Sequence, residues 1–331
     1  MNITFIGAGA WNSALSLVLA DNGQNTLLYS IDSEQEKEIN TYHTNKKYLD
    51  SNPLHVTTKC TTDLKEAMSN PDVIVLGVPS SAIRSVVNNF LPYLNTNPIL
   101  VNVAKGFDPV TFEGMTKMLE DMIPNDKIQG VVSLMGPTFA KEVIRRQNTA
   151  LCAVGYHPEL NKKIQELFSN DVFRVYTQDD VIGAEIGAGM KNIIAIASGI
   201  LTGLGYENNS RAALITRGLA EITRFGVLKG AKEKTFLGLT GVGDLFLTCS
   251  STTSRNFTAG FEIGKSNSAV EFMKNNKITV EGIEASRLIY QEAKRMNISV
   301  PITQSVYEIL FENKTPSVVV NELMNRSLKA E

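Results

Sequence analysis

Asn2-Ile3-Thr4-Phe5-Ile6-Gly7-Ala8-Gly9-Ala10-Trp11-Asn12, at the head of the chain, decides the fold. Its first five residues are a short β-branched and aromatic run, the composition of a strand. A glycine turn follows at once, then an apolar helical pattern from Ser13 to Leu19 that Gly23 closes. Thr26 to Ser30 reads as the next strand. Strand, glycine turn, helix and strand form the context that a dinucleotide fingerprint requires. Gly7 permits the tight turn, and Gly9 lets the backbone approach a pyrophosphate at the helix N-terminus. Asn12 stands at the third position, where a glycine normally lets helix and strand pack closely.

Working outward, Asp32 lies just past the second strand, where a ribose-binding carboxylate belongs. There it would accept the 2′-hydroxyl of NAD and repel the 2′-phosphate of NADP. The same residue also reads as the cap of a helix that starts near Ser33, and the two roles are compatible. Asp72–Val78 and Ile99–Ala104 are the clearest buried strands, with Val131–Met135 and Leu151–Val154 as further ones. Helical stretches at Ser81–Leu94, Thr111–Ile123 and Glu159–Phe168 alternate with them. The alternation predicts an α/β fold, a Rossmann-type doubly wound parallel sheet. Ligands bind such sheets beyond the carboxyl ends of the strands. Four loops belong on that edge: Gly7–Trp11, Pro79–Ser81, Lys105–Gly106 and Gly136–Phe139. Their glycines, small hydroxyls and one lysine suit an anionic ligand, although Lys105 also reads as a water-exposed strand end.

After Gln178 strand-like runs give way to long helical patterns: 180–202, 211–228, 281–296, 302–312 and 318–325. The expected organisation is a dinucleotide-binding domain over 1–178 and an all-helical second domain over 179–331. The central stretch of the second domain is Glu185–Ile200, EIGAGMKNIIAIASGI, small or aliphatic nearly throughout except Lys191 and Asn192. At helical spacing Lys191 shares a face with Ala184, Gly187, Ala188, Ala195 and Ser198. A buried lysine without a partner tends to lose its proton, and the small-residue strip offers room for a cofactor ring and substrate. The competing reading is a close helix–helix contact with Lys191 reaching out to water. Farther on, Gly241–Asp244 is a glycine-rich turn holding one acid. Thr248–Asn256 is a run of hydroxyls ending in Ser254-Arg255-Asn256. Guanidinium and hydroxyls together can hold a phosphate; the alternative is a polar loop with a cap leading into Phe257–Gly264.

The bulk numbers exclude other classes. The 331 residues carry 43% hydrophobic and 20% charged side chains and a net charge of −2, so nothing favours nucleic acid. No uninterrupted apolar run reaches membrane-spanning length, so no integral membrane segment is expected. Cys60, Cys152 and Cys249 are widely spaced, which suits a reducing cytosol and excludes a cysteine-based zinc site. A dehydrogenase must also move a proton with the hydride. His43, His55 and His157 all precede the second domain. The Tyr42-x-x-x-Lys46 pattern comes too early for a short-chain reductase. A lysine acid–base group remains, and Lys191 is the best placed.

The stretches GAGAW, VAKG, MGPTFAKEV, EIGAGMKNIIAIASGI, TRGLAEI, GLTGVGDLFLTCSSTTSRN and VEG together resemble the bacterial NAD(P)-dependent glycerol-3-phosphate dehydrogenases over essentially the whole chain. The resemblance implies interconversion of dihydroxyacetone phosphate and glycerol 3-phosphate, the phospholipid backbone, by a cytoplasmic homodimer that uses NAD(P)H. It also implies Lys191 as proton donor and acceptor. Lys105, Gly136, Thr138, Asp244, Ser254, Arg255 and Asn256 are the implied substrate shell, with Asp244 expected to orient Lys191 or the substrate hydroxyl. Ala10, Trp11, Lys105, Ala140, Arg255, Glu281 and, more weakly, Thr279 are the implied cofactor contacts, beside Gly7, Gly9 and Asp32. Ala10 and Thr138 stand where the family usually has serine. Ile31-Asp32 stands where NADP-preferring members often carry a basic residue, so NADH should serve at least as well as NADPH. A 3-hydroxy-acid dehydrogenase relative and a non-catalytic dinucleotide sensor are the rival readings. The first would need a carboxylate site rather than a phosphate site, and the second would not need Lys191, Asp244 and Arg255 together.

Overall fold

β1 (Asn2–Ile6) lies inside an eight-stranded sheet, and its neighbours explain why it is apolar on both faces. The computed structural model describes residues 1–108, 111–276 and 278–327. The other strands among them are β2 (Asn25–Tyr29), β3 (Lys59–Thr61), β4 (Val73–Leu76), β5 (Ile99–Asn102), β6 (Gly130–Met135), β7 (Thr149–Val154) and β8 (Phe173–Gln178), in the order β3-β2-β1-β4-β5-β6-β7-β8. The helices that join them are α1 (Ala10–Asp21), α2 (Ser33–Tyr42), α3 (Lys46–Leu49), α4 (Leu64–Ala67), α5 (Ile83–Phe90), α6 (Met115–Met122), α7 (Ala140–Val143) and α8 (Pro158–Phe168). Along β4, Val73 and Val75 join one apolar core with Leu15, Leu19 and Phe168, while Ile74 and Leu76 join another with Val87, Phe90 and Leu119. Side chains alternate between the faces at each residue, so helices cover the sheet on both sides. That is the doubly wound arrangement, with the switch in winding at β1 and β4.

The sheet departs from the fully parallel expectation at one place. β6 and β7 pair antiparallel, while β7 and β8 are parallel to each other. The link after β6 contains only α7, four residues long. That helix is too short to carry the chain back across the sheet, so β7 starts at the carboxyl edge and runs the other way. Two strands were missed in the sequence. β3 has three residues, and β8 alternates buried and exposed positions at its start. The expected helix 111–123 begins only at Met115, because the preceding loop is clamped. Buried Asp108 takes two bonds from Arg84 and accepts from Thr111 N and Oγ1, and Phe112 holds a φ of 61°.

The chain divides into two compact units, Met1–Val181 and Ile182–Glu331. The second contains most of α9 (Val181–Gly203), then α10 (Asn208–Leu228), α11 (Asp244–Ser250), α12 (Arg255–Ser266), α13 (Val270–Asn275), α14 (Glu281–Arg295), α15 (Pro301–Phe311) and α16 (Pro316–Met324). α9 is long and apolar enough to cross a bilayer, but 83% of its most apolar window is buried inside the fold, as in a core helix. Glycines on both helices bring α9 and α12 into backbone contact. A Cβ on Gly260 would lie 2.0 Å from Ile196 O, and one on Gly199 2.1 Å from Phe257 O. Real Cβ atoms do not approach so closely, so only glycine at these positions permits this pairing.

Candidate active site

In the first unit the four loops do line one edge of the sheet. Gly7 (φ 95°) folds its turn against Gly77 and Val78, where a Cβ would stand 3.0 Å from Gly77 O. Ser80 Oγ lies 3.8 Å from the Cβ position of Gly106, and Lys105 Nζ donates to Gly136 O at 3.4 Å. Thr138 Oγ1 donates to the same carbonyl, also at 3.4 Å. Lys105, Gly136 and Thr138 therefore meet at one point. Ala10, Trp11 and Ala140, all half-buried, pack on the same core.

The asparagine at the third fingerprint position is accommodated by a neighbour. Asn12 is buried, and its Nδ2 donates to Ile6 O at 3.0 Å and Gly7 O at 2.7 Å. Its Oδ1 occupies the space a Cβ on Gly77 would need, 2.0 Å away. Asn12 thus fills the room that Gly77, lacking a side chain, leaves beside it, and the turn is tied from within. The site still fits a dinucleotide. Gly9 caps α1 without a side-chain bond, and a Cβ there would meet nothing within 4 Å. Gly9 thus leaves room at the N-terminus of α1, where a phosphate can approach.

Asp32 is the cap of α2, accepting from Glu34 N at 3.1 Å and Gln35 N at 3.3 Å through Oδ1. Its Oδ2 lies 3.6 Å from Lys47 Nζ.

In the second unit Lys191 is 4% exposed. Its Nζ donates to Thr248 Oγ1 at 2.6 Å and lies 3.0 Å from Asp244 Oδ1. Thr248 passes the chain on by donating to Asp244 O at 2.6 Å. The amine is thus an ion-paired group and not the unpartnered one that the apolar surroundings suggest. A carboxylate beside it offsets part of the cost of burying the charge. The small-residue strip is corrected in the same way. A Cβ on Gly187 would meet Thr240 O at 2.4 Å, and Ser198 Oγ donates to Cys249 O. Part of the strip therefore seats the turn Leu239–Gly243 and α11, which carry Asp244 and Thr248, instead of leaving that space to a ligand. Burial pushes the Cys249 thiol up to about 12, so it is no nucleophile.

Asn192, conspicuous in the sequence but given no role there, is a hub of side-chain bonds. Its Oδ1 accepts from Asn256 Nδ2 at 3.0 Å, and its Nδ2 donates to Glu281 Oε2 at 3.3 Å. Asn256 Oδ1 accepts from Gly282 N at 2.9 Å. Glu281 in turn faces Arg255, with 3.7 Å between Oε1 and Nη2. One buried amide thus links α9 to the first turns of α12 and α14. Ser254 caps α12, accepting from Phe257 N at 3.3 Å. The expected polar run 248–256 is mostly structured: Thr248 and Cys249 belong to α11, and Arg255 opens α12, 56% exposed at its side chain. Thr279 is exposed, two residues ahead of Glu281.

Two sequence profiles of the NAD-dependent glycerol-3-phosphate dehydrogenase match the chain, the N-terminal one over residues 2–161 and the C-terminal one over 180–321. The chain belongs to this family. A relative from Staphylococcus epidermidis, named glycerol-3-phosphate dehydrogenase (NAD(P)+), is 44% identical over 329 residues, covering 99% of each chain. One of the same name from Lysinibacillus sphaericus is 42% identical, over 99% of this chain and 97% of its own. The crystal structure of the Coxiella burnetii glycerol-3-phosphate dehydrogenase superposes with a TM-score of 0.88 at 33% identity, covering 98% of this chain and 99% of the other. The fold class read from the sequence stands.

Proposed function

We propose that this chain interconverts dihydroxyacetone phosphate and sn-glycerol 3-phosphate with NAD(P)H and supplies the latter for phospholipid synthesis. The observation that carries this reading is the buried Lys191–Asp244–Thr248 cluster in a chain of this family. When bound, the nicotinamide supplies or accepts a hydride. Lys191 holds the proton that the substrate's oxygen gains or loses, and Asp244 and Thr248 fix the amine's direction. The N-terminus of α12, with the amides and guanidinium of Arg255, suits the substrate phosphate. Ser254 and Asn256 support it: Asn256 has one amide hydrogen beyond the bond to Asn192. Lys105, Gly136 and Thr138 complete the substrate shell.

Gly7, Gly9, Ala10 and Trp11 would carry the pyrophosphate turn. Asp32 would take the ribose, and Lys105, Ala140, Arg255, Thr279 and Glu281 the remaining cofactor contacts. We place the enzyme in the cytoplasm as a homodimer, which light scattering tests. The activity test is spectrophotometric. Dihydroxyacetone phosphate should drive oxidation of NADH or NADPH, and unphosphorylated dihydroxyacetone should do so far less well. Cofactor binding without oxidation would overturn this reading in favour of a sensor.

A further inference from the structure

A buried polar network ties the adenosine end of the expected cofactor site together. Ser30 Oγ donates to Gln35 Oε1 at 2.6 Å, and Asp32 N donates to Ser30 Oγ at 3.0 Å. Gln35 Nε2 donates to Ala8 O in the fingerprint turn at 2.8 Å and to Asn45 Oδ1 at 3.0 Å. Asn45, fully buried, donates from Nδ2 to the same Ala8 carbonyl at 2.9 Å and to Ser13 Oγ at 2.9 Å. Asn45 immediately precedes α3, so the network anchors the start of that helix against the glycine turn. Lys47, two residues on, then stands beside Asp32, with 3.6 Å between Nζ and Oδ2.

The charges at this point are unusual for a ribose site. Asp32 has spent Oδ1 on two amides of α2, and its other oxygen faces an ammonium. Ile31, next to it, is 91% exposed and brings no charge. A carboxylate alone would repel a 2′-phosphate. A carboxylate with an ammonium beside it presents little net charge, and the ammonium can turn. The Lys47 side chain is 64% exposed. An exposed pair of this kind is weak, so exchanging it for a charge-assisted bond to a phosphate costs little.

We propose that Lys47 is a specificity-determining residue that lets this chain accept NADPH beside NADH in spite of Asp32. With NADH, Asp32 takes the 2′-hydroxyl and Lys47 remains paired to it. With NADPH, Lys47 leaves Asp32 and binds the 2′-phosphate. The proposal rests on the dehydrogenase reading only in taking this edge as the nucleotide site.

The test is direct titration of the full chain with 2′,5′-ADP, 5′-AMP, NADPH and NADH, alongside Lys47→Met and Lys47→Arg. Wild type should bind NADPH within about tenfold of NADH. Lys47→Met should weaken 2′,5′-ADP and NADPH by about tenfold, the size of one charge-assisted contact, and leave 5′-AMP and NADH within about twofold. Lys47→Arg should keep most of the affinity for the phosphorylated pair. The proposal is overturned if Lys47→Met weakens both pairs equally, if it weakens neither, or if wild type already discriminates against NADPH by more than about a hundredfold. These titrations need no turnover. A chain that binds as expected but oxidises neither cofactor would sink the dehydrogenase reading and leave Lys47's role standing.

Discussion

Lys105 and Lys191 are held by opposite means. Lys105 is half-buried on a loop at the edge of the sheet, and its Nζ donates to a backbone carbonyl at 3.4 Å. Lys191 is enclosed in the helical unit, with a hydroxyl at 2.6 Å and a carboxylate at 3.0 Å. Backbone builds most of the first region, where glycine turns and helix ends do the positioning. Side chains build the second, each depending on another. In a region of the first kind space decides which residue fits, as the packing of Asn12 into the room beside Gly77 illustrates. A region of the second kind has no slack, because removing one partner leaves another buried and charged.

The sharpest way to break this contrast is Lys191→Met. Loss of the acid–base group should lower kcat by about 10²–10⁴, while nucleotide affinity by titration stays within about twofold. An unchanged kcat would remove Lys191 from the chemistry. Next in size is Asp244→Asn. It leaves an ammonium buried without its carboxylate and should cost about 3–5 kcal/mol in urea unfolding. Adding Lys191→Met should restore much of that loss. Lys105→Met, at a half-buried side chain on a loop, should cost clearly less than Asp244→Asn. Equal losses at the two lysines would mean that the regions are not held differently after all.

Gly77→Ala tests that packing in the first unit. Its Cβ would collide with Asn12, and overpacking of this kind costs about 1–3 kcal/mol. Asn12→Gly in the same chain should recover most of it, returning the turn to the usual three-glycine form. Failure of the double variant to recover would mean that the two bonds of Asn12 to Ile6 O and Gly7 O matter more than the space.

The smallest effect is a pH dependence. Bonds from Arg295 and Lys229 hold the Glu292 carboxyl down at about 2, from an ordinary 4.5. Its folded value lies below its unfolded one. The stability it contributes is therefore fully present above pH 4.5 and is lost as the pH falls toward 2. Glu292→Gln should lower the melting temperature at pH 7, and the gap to wild type should narrow steadily from pH 4.5 to pH 2. A constant gap would assign the effect to packing.

Much of this molecule was legible in the chain itself. A β-branched run, a glycine turn and an apolar helix follow one another at the start, and local sterics leave such a segment few alternatives. The change from period two to helical spacing after Gln178 likewise follows from which residues can share a face. Lys191 was conspicuous because a charge in an apolar helix is costly and needs a reason. Only the family resemblance pointed to Asp244 as the group that orients it, and the packing that fills the space around it was not legible. Asp244 and Thr248 are more than fifty residues away in sequence, and nothing local indicates that their turn sits on Gly187. The hub at Asn192, the pairing of Asn12 with Gly77 and the approach of Lys47 to Asp32 are of the same kind. Each joins segments distant in the chain, and such contacts exist only once the elements have packed, because burial and close approach are properties of the assembled core.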